Sequence, residues 1–225
     1  MNTAIIVAAG SGKRLRSDTP KQFLKILGNP VIIHTLQRFE SCPEISEIIL
    51  VLARDQIDFF NNFAADYVFT KLKKVVAGGS TRAESVLEGL LFADELTEIV
   101  VVHDGARPLV SVDEIKATIL KAADVGAACL VASLTDTIKT ISSDEITGTL
   151  DREYLRRALT PQAFRYEILR KAFTGVDLTN NVTDECYLVE KLGQKIAYVE
   201  GSSKNIKITY PEDIMLAEAF LRSSE

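Results

Sequence analysis

The chain has 225 residues, of which 47% are hydrophobic and 25% are charged, and this composition argues against a disordered or repetitive polypeptide because it supplies a normal buried core. The formal net charge of −5 gives the molecule an overall field that repels nucleic acid. The three cysteines lie far apart without a CxxC pair, which argues against a disulfide or zinc framework.

Short apolar runs alternate with segments of helical periodicity along most of the chain. The runs are rich in β-branched residues and predict strands at 3–9, 47–53, 73–78, 98–104 and 127–133. Helices are predicted between them at 30–40, 80–93 and 111–124, with Ser80 as an N-cap and Ser111 with Glu114 as a capping box. Continuous apolar strands suit a sheet covered on both faces. We therefore predict one α/β domain over 1–225, a Rossmann-like three-layer α/β/α arrangement with a mostly parallel sheet.

This alternation is interrupted at 134–157, where Thr and Ile alternate on both sides of "SSDEITG". The pattern predicts two antiparallel strands joined by a turn, with little of the chain left to cover them. We interpret this segment as a projecting β-arm. Helices are then predicted at 165–173, 184–193 and, opened by Pro211, at 211–221, with strands at 195–201 and 205–209.

No apolar run approaches the roughly 18 residues of a membrane span, and the first residues lack the basic prefix and apolar segment of a secretory leader. We therefore expect a cytoplasmic protein with neither a membrane nor a nucleic acid as its partner.

The stretch "AIIVAAGSGKRLRSDTPKQF" at 4–23 carries the first functional signal. Arg14 after Gly12-Lys13 breaks the Walker A pattern, and Leu15 breaks GxGxxG. Small residues nevertheless let backbone N–H groups approach a ligand, and four cations between positions 13 and 21 can balance negative charge, which together predict a polyphosphate site. The alternative is a plain connecting turn with solvated cations.

Several blocks of the sequence, in register over nearly the whole chain, resemble the 2-C-methyl-D-erythritol 4-phosphate cytidylyltransferases of the non-mevalonate isoprenoid pathway. They are the opening stretch, "GGSTRAESV", "VHDGARPLV", "DTIK", "ALTPQAF", "TDE" and "NIKITYPED". The resemblance implies attack by the phosphate of methylerythritol phosphate on the α-phosphorus of CTP, with release of pyrophosphate. It also implies Mg²⁺ bound mainly through the CTP phosphates, so no metal site built from protein ligands alone is expected.

The resemblance further implies roles for individual residues. The implied catalytic residues are Arg14, Lys21, Arg152 and Lys207. The implied nucleotide-binding residues are Ala8, Ala9, Gly10, Ser11, Gly12, Gly78, Gly79, Ser85, Asp104 and Gly105. The implied acceptor-binding residues are Arg107, Thr137, Thr160 and Thr183. Arg82 stays open between a base contact and a salt-bridge partner at a helix N-terminus. Many relatives have Ala where this chain has Gly105, and we expect the glycine to loosen its loop.

Several alternatives remain at this point. A ribitol 5-phosphate cytidylyltransferase would share the first half of the chain, and a non-catalytic nucleotide-binding protein could retain the fold. Thr183 could be a helix cap rather than a substrate contact. The arm also predicts a homodimer, because a two-stranded ribbon is marginal on its own, and Thr137 and Arg152 then serve either their own subunit or the neighbouring one.

Overall fold

The computed structural model describes residues 1–10, 19–176, 178 and 182–223. Its strands, in chain order, are β1 Asn2–Val7, β2 Lys25–Ile26, β3 Asn29–Pro30, β4 Glu47–Leu52, β5 Leu72–Ala77, β6 Ile99–Asp104, β7 Ala127–Ser133, β8 Ile138–Ser142, β9 Glu145–Leu150, β10 Arg156–Arg165 and β11 Ala197–Glu200. Its α-helices are α1 Val31–Glu40, α2 Ile57–Ala64, α3 Arg82–Leu91, α4 Val112–Val125, α5 Tyr166–Ala172, α6 Glu185–Lys191 and α7 Pro211–Arg222.

Seven strands form the central sheet in the order β11-β7-β10-β6-β1-β4-β5. Neighbouring strands run parallel, except that β10 pairs antiparallel with both β6 and β7. Strands β4 and β6 are buried along their whole length, as expected for strands covered on both faces. The predicted mostly parallel sheet is confirmed.

Helices cover both faces of this sheet. Successive side chains of a strand point to opposite faces, and β1 shows the result. Ile6 belongs to the apolar cluster that contains Leu36 of α1, whereas Ile5 belongs to the cluster that contains Val86 of α3. The predicted three-layer arrangement is confirmed. None of the helices within the described ranges is long and apolar enough to cross a membrane.

The β-arm prediction is confirmed in its centre and wrong at its end. Strands β8 and β9 form a separate antiparallel two-stranded sheet, but Arg156 and Arg157, assigned to the arm by the sequence, begin β10. Strand β10 itself was not predicted. Its pairing with β7 shifts in register between Ala158 and Gln162, on either side of Pro161, and a proline within a run normally argues against a central strand.

Two further predictions need correction. Residues 205–209 form no strand; this segment is irregular, and the Ile208 N–H donates to Ala106 O at 2.8 Å. The N-cap of α3 is Thr81 rather than Ser80, since the Glu84 N–H donates to the Thr81 hydroxyl. The capping box of Ser111 and Glu114 on α4 is confirmed.

Candidate active site

A cleft of about 280 Å³ opens where β1, β5 and β6 end at their carboxyl edge, which is where open α/β sheets bind ligands. The sequence-predicted residues among those that line it are Ala8, Ala9, Gly10, Lys21, Gly79, Ser85, Asp104 and Lys207. Three further predicted residues, Ser11, Gly12 and Arg14, lie outside the described residues. The cleft therefore brings together much of the set that the sequence assigned to one nucleotide site.

The backbone after β1 is fixed by its neighbouring strands. The Ala8 N–H donates to Val51 O, and the Gly105 N–H donates to Val7 O, both at 2.8 Å. A Cβ at position 105 would lie 2.8 Å from the Ala8 Cβ, and the Gly105 carbonyl accepts from the Thr35 hydroxyl at 2.9 Å. The expectation of a loosened loop is wrong, because the missing side chain permits close packing that holds Gly105 against Ala8.

Lys21 reaches the cleft because the residues beside it are buried. Lys21–Phe23 form one 3₁₀ turn in which Gln22 and Phe23 are buried. The Phe23 ring packs edge-on against Phe59, with 4.9 Å between ring centroids. The Lys21 Nζ donates to Ile208 O at 3.3 Å. In the "PKQF" motif, the side chains of Gln22 and Phe23 are therefore buried, and Lys21 lies at the cleft.

The predicted base-binding turn packs closely on two sides. A Cβ at Gly78 would lie 2.6 Å from the Ser85 Oγ and 2.7 Å from the Ala9 Cβ, and one at Gly79 would lie 2.4 Å from the Glu84 Cβ. Glycine is required at both positions for this approach. Because Ser85 and Gly79 also line the cleft, the turn brings backbone and hydroxyl groups to the ligand space, and their contact with cytosine stays a prediction.

Asp104, at the end of β6, is the centre of a cluster of positive charges. Its Oδ1 accepts from Arg82 Nε at 3.0 Å. Its Oδ2 lies 3.2 Å from Arg107 Nε and 2.9 Å from Lys207 Nζ. Burial opposes ionisation, but the charges of Arg82, Lys207 and Arg107 outweigh it and hold the pKa of Asp104 well below its ordinary value. The carboxylate is therefore ionised and holds three cations, of which Arg82 and Lys207 line the cleft.

Arg82 connects this cluster to a second carboxylate that the sequence analysis missed. Its Nη1 donates to Glu185 Oε1 at 2.7 Å, so the salt-bridge interpretation of Arg82 is confirmed. Glu185 is fully buried, and burial raises the pKa of its carboxyl above the ordinary value although Arg82 lies beside it. The only sequence signal was its place in "TDE", since an acidic residue at the start of a helix normally indicates a solvated first turn.

Thr160 and His103 support the loop that begins at Asp104. The Thr160 hydroxyl accepts from the Asp104 N–H at 3.1 Å and lies 3.0 Å from His103 Nδ1. His103 Nε2 lies 3.1 Å from Arg107 O. Because the Thr160 oxygen already accepts from the Asp104 N–H, the Thr160 hydroxyl donates its proton to His103 Nδ1. The other ring nitrogen, Nε2, therefore carries the proton and donates to the Arg107 carbonyl. Thr160 is buried and does not line the cleft, so its predicted acceptor contact stays a prediction.

Arg107 is held away from solvent by the same loop system. Besides Asp104, it contacts the backbone of the segment that carries Lys207, since its Nη1 donates to Asn205 O at 2.9 Å. The Asn205 amide in turn donates to Thr160 O at 2.9 Å. These contacts fasten the irregular segment at 205–209 to the end of β6 and place Lys207 beside Asp104. The binding of acceptor phosphate by Arg107 stays a prediction.

The remaining predicted acceptor residues lie elsewhere on the molecule. Thr137 and Arg152 are exposed at the base of the arm, where Arg152 Nη1 donates to Thr135 O. Thr183 is exposed just before α6, whose N-cap is Asp184, because Asp184 Oδ1 accepts from the Tyr187 N–H. None of these three is among the described residues that line the cleft.

Comparison with known proteins gives a consistent result. The family model of 2-C-methyl-D-erythritol 4-phosphate cytidylyltransferase matches residues 2–223. A protein of that name from Syntrophus aciditrophicus is 44% identical, with 99% of this chain and 96% of that protein covered. The crystal structure of 4-diphosphocytidyl-2C-methyl-D-erythritol synthase from Anaerococcus prevotii superposes with a TM-score of 0.86 at 32% identity, with 99% of this chain and 96% of that chain covered.

A relative of different length is also similar. The chain is 43% identical to the bifunctional enzyme IspD/IspF of Desulfotalea psychrophila; all of the chain matches, and the match spans 58% of that protein. The comparisons do not favour a ribitol 5-phosphate cytidylyltransferase or a non-catalytic nucleotide-binding protein.

Proposed function

Because the chain belongs to the 2-C-methyl-D-erythritol 4-phosphate cytidylyltransferase family, we propose that it transfers CMP from CTP to 2-C-methyl-D-erythritol 4-phosphate, forming CDP-methylerythritol and pyrophosphate. The observation that carries this proposal is the convergence of Lys21, Lys207 and Arg82 on one cleft lined by the Ala8–Gly10 backbone. A polyphosphate needs this combination of closely approaching N–H groups and cations.

The chemistry follows from the charges of the reactants. An anionic phosphate oxygen attacks the α-phosphorus of an anionic triphosphate, and the barrier consists largely of like-charge repulsion and the need for in-line geometry. Lys21 and Lys207 offset the charge that develops on the α-phosphate and the leaving pyrophosphate. Asp104 holds Lys207 in place through a contact of 2.9 Å. Arg14 is assigned to the same task by resemblance alone.

Mg²⁺ is part of the proposal. Among the described residues that line the cleft, Asp104 is the only carboxylate, and both of its oxygens contact cations. Such a donor set fits a metal ion that takes its ligands mainly from the CTP phosphates. When bound, Mg²⁺ neutralises phosphate charge and polarises the reacting group.

The proposal also includes a homodimer formed through the β-arm. Thr137 and Arg152 do not line the cleft of their own chain in the part that the structure describes, and their hydroxyl and guanidinium groups suit a polyol monophosphate. An arm inserted beside the cleft of a second copy would bring both groups to the acceptor. The cytoplasmic location stays a prediction from the sequence.

Pyrophosphate release tests the proposed function directly. CTP with methylerythritol phosphate is expected to release pyrophosphate, whereas CTP with ribitol 5-phosphate is expected to release much less. Lys21→Ala should lower turnover by about 10² or more, because a donor to transition-state charge is lost, with little change in melting temperature. Lys25→Ala, which removes an exposed lysine four residues away, is the matched control and should keep full turnover. If Lys21→Ala keeps the same full turnover as Lys25→Ala, Lys21 does not take part in the reaction.

A further inference from the structure

Glu185 is a buried carboxyl group whose presence packing does not explain. It is the first residue of α6, its exposed fraction is 0%, and its Oε2 has no hydrogen-bond partner among the described residues. Taking a carboxylate out of water costs several kcal/mol, and replacing a buried ion pair by apolar residues is often neutral or stabilising. Stability alone therefore gives no reason for a carboxylate at this position.

The backbone around Glu185 is held firmly by β10. The Gln162 side chain donates to Asp184 Oδ2 at 2.9 Å and accepts from the Cys186 N–H at 3.1 Å. The two residues that flank Glu185 are thus tied to the same buried amide. This arrangement fixes the direction in which the Glu185 side chain leaves the helix.

The partner of Glu185 is the guanidinium that also holds Asp104. Arg82 donates from Nε to Asp104 at 3.0 Å and from Nη1 to Glu185 at 2.7 Å. A planar guanidinium with donors in a fixed fork cannot rotate toward one carboxylate without leaving the other. Arg82 therefore occupies Oδ1 of Asp104 and leaves Oδ2 to Arg107 and Lys207.

We propose that Glu185 is a positioning residue, which acts through Arg82 and Asp104 to hold the Lys207 ammonium at the cleft. Without the contact to Glu185, Arg82 is free to turn both arms of its guanidinium onto the two oxygens of Asp104 and to compete with Lys207 for Oδ2. In this cluster, Asp104 and Glu185 together contact the cations of Arg82, Arg107 and Lys207. Loss of the Glu185 carboxyl leaves Asp104 as the acceptor for all three cations. The kinetic part of this inference rests on the proposed function.

The first test follows Lys207 itself and needs no turnover. Labelling by acetic anhydride, quantified for each lysine by mass spectrometry, should be faster at Lys207 in Glu185→Gln than in the wild type, because the amine spends less time in its salt bridge. Labelling of Lys74 should not change. Glu47→Gln is the matched control: Glu47 is also a buried carboxylate, paired with Lys74 at 3.1 Å, so it should speed labelling of Lys74 and leave Lys207 unchanged.

The second test uses steady-state kinetics. Glu185→Gln should lower kcat about tenfold with the KM for CTP within about twofold, since Lys207 acts on charge that develops in the transition state while other nucleotide contacts remain. Arg82→Lys should give the same pattern, because one ammonium cannot bridge both carboxylates. Adding Glu185→Gln to Arg82→Lys should cost less than about twofold more, since both changes break one route. Glu47→Gln should keep the wild-type kcat.

The outcomes separate the two proposals. Unchanged Lys207 labelling in Glu185→Gln overturns the positioning role whether or not the enzyme is active, and multiplicative losses in the double variant overturn the route through Arg82. A wild-type protein that releases no pyrophosphate, yet shows faster Lys207 labelling in Glu185→Gln, overturns the proposed function and supports the positioning role. If Glu185→Gln does not fold, the Arg82→Lys variant decides. Lys207 labelling and a kcat equal to those of the wild type would then overturn the inference.

Discussion

At the scale of single residues, His103 shows how a neutral buried ring supports a charged loop. It is fully buried beside the Asp104 cluster, and burial, which disfavours the imidazolium, lowers its pKa from 6.5 to about 3. The neutral ring accepts from Thr160 and donates to the Arg107 carbonyl, so both bonds require the uncharged form. A histidine that titrated here would place a further positive charge next to Arg82 and Arg107.

This burial predicts a pH dependence of stability. Above pH 6.5 the ring is uncharged in both states and its contribution to stability is complete. As the pH falls from 6.5 toward 3, only the unfolded chain binds the proton, so the free energy of unfolding decreases by up to about 1.4 kcal/mol per pH unit. Urea unfolding at pH 7, 6 and 5 should show a shallower decrease for His103→Gln than for the wild type.

The control for this measurement is Ile119→Val. Ile119 is buried on α4, and its shortening lowers stability by about 0.5–1.5 kcal/mol without removing a titratable group. Its curve should run parallel to that of the wild type. If the His103→Gln curve runs parallel as well, His103 is not held neutral by the fold.

At the scale of elements, the β-arm exposes apolar side chains that its own subunit does not cover. Ile141 and Ile146 face each other across β8 and β9 and are 74% and 68% exposed. A two-stranded sheet of this kind is marginal in water without a partner surface, and apolar side chains at its tip lose free energy by staying solvated. A second copy of the chain supplies the missing surface, as the proposed homodimer requires.

Mixing two inactive variants tests whether the arm acts across subunits. Lys21→Ala removes a cation of the cleft, and Arg152→Ala removes one of the arm. If Arg152 serves the neighbouring subunit, each mixed dimer has one site with both lesions and one with neither, so activity should recover toward half per mixed dimer.

Subunit exchange has to be verified separately, for example by native mass spectrometry with one variant isotopically labelled. Complete exchange without recovered activity would show that Arg152 serves its own subunit. A monomer in light scattering of the wild type would reject the dimer itself.

At the scale of the whole molecule, positive side chains gather at the cleft although the net charge of the chain is negative. The chain carries a formal net charge of −5, yet Lys21, Arg82 and Lys207 line one cleft with Asp104. The excess negative charge lies elsewhere, so a small polyanion is attracted locally while larger polyanions are repelled overall. This pattern fits a nucleoside triphosphate better than a nucleic acid.

The same balance predicts dependence on a divalent ion. Three cations, partly offset by Asp104, do not neutralise a triphosphate and an acceptor phosphate together, so turnover should disappear with excess EDTA and return with Mg²⁺. Equilibrium dialysis should show little Mg²⁺ on the protein without CTP and about one ion per site with it, because phosphate oxygens supply most ligands. Full turnover in EDTA would contradict this expectation.

The sequence by itself determined the parts of this protein that depend on local pattern. Continuous apolar runs placed β1, β4, β5, β6 and β7, and the Ser111–Glu114 box placed the start of α4. Alternating Thr and Ile placed the arm, and the motifs named the cleft residues Lys21, Asp104 and Lys207. These signals are local, because the apolar pattern of a strand and the capping residues of a helix lie within a few neighbouring positions.

Only the tertiary structure decided the contacts between distant segments. Insertion of β10 between β6 and β7 depends on antiparallel pairing between residues far apart in the sequence, and no local pattern encodes such pairing. Pro161 also argues against a central strand in this segment. The burial of Glu185 depends on Arg82, about 100 positions earlier in the chain. A carboxylate at a helix start is normally solvated, and only the contact between Arg82 on α3 and Glu185 on α6 makes it a buried partner of the cleft residues.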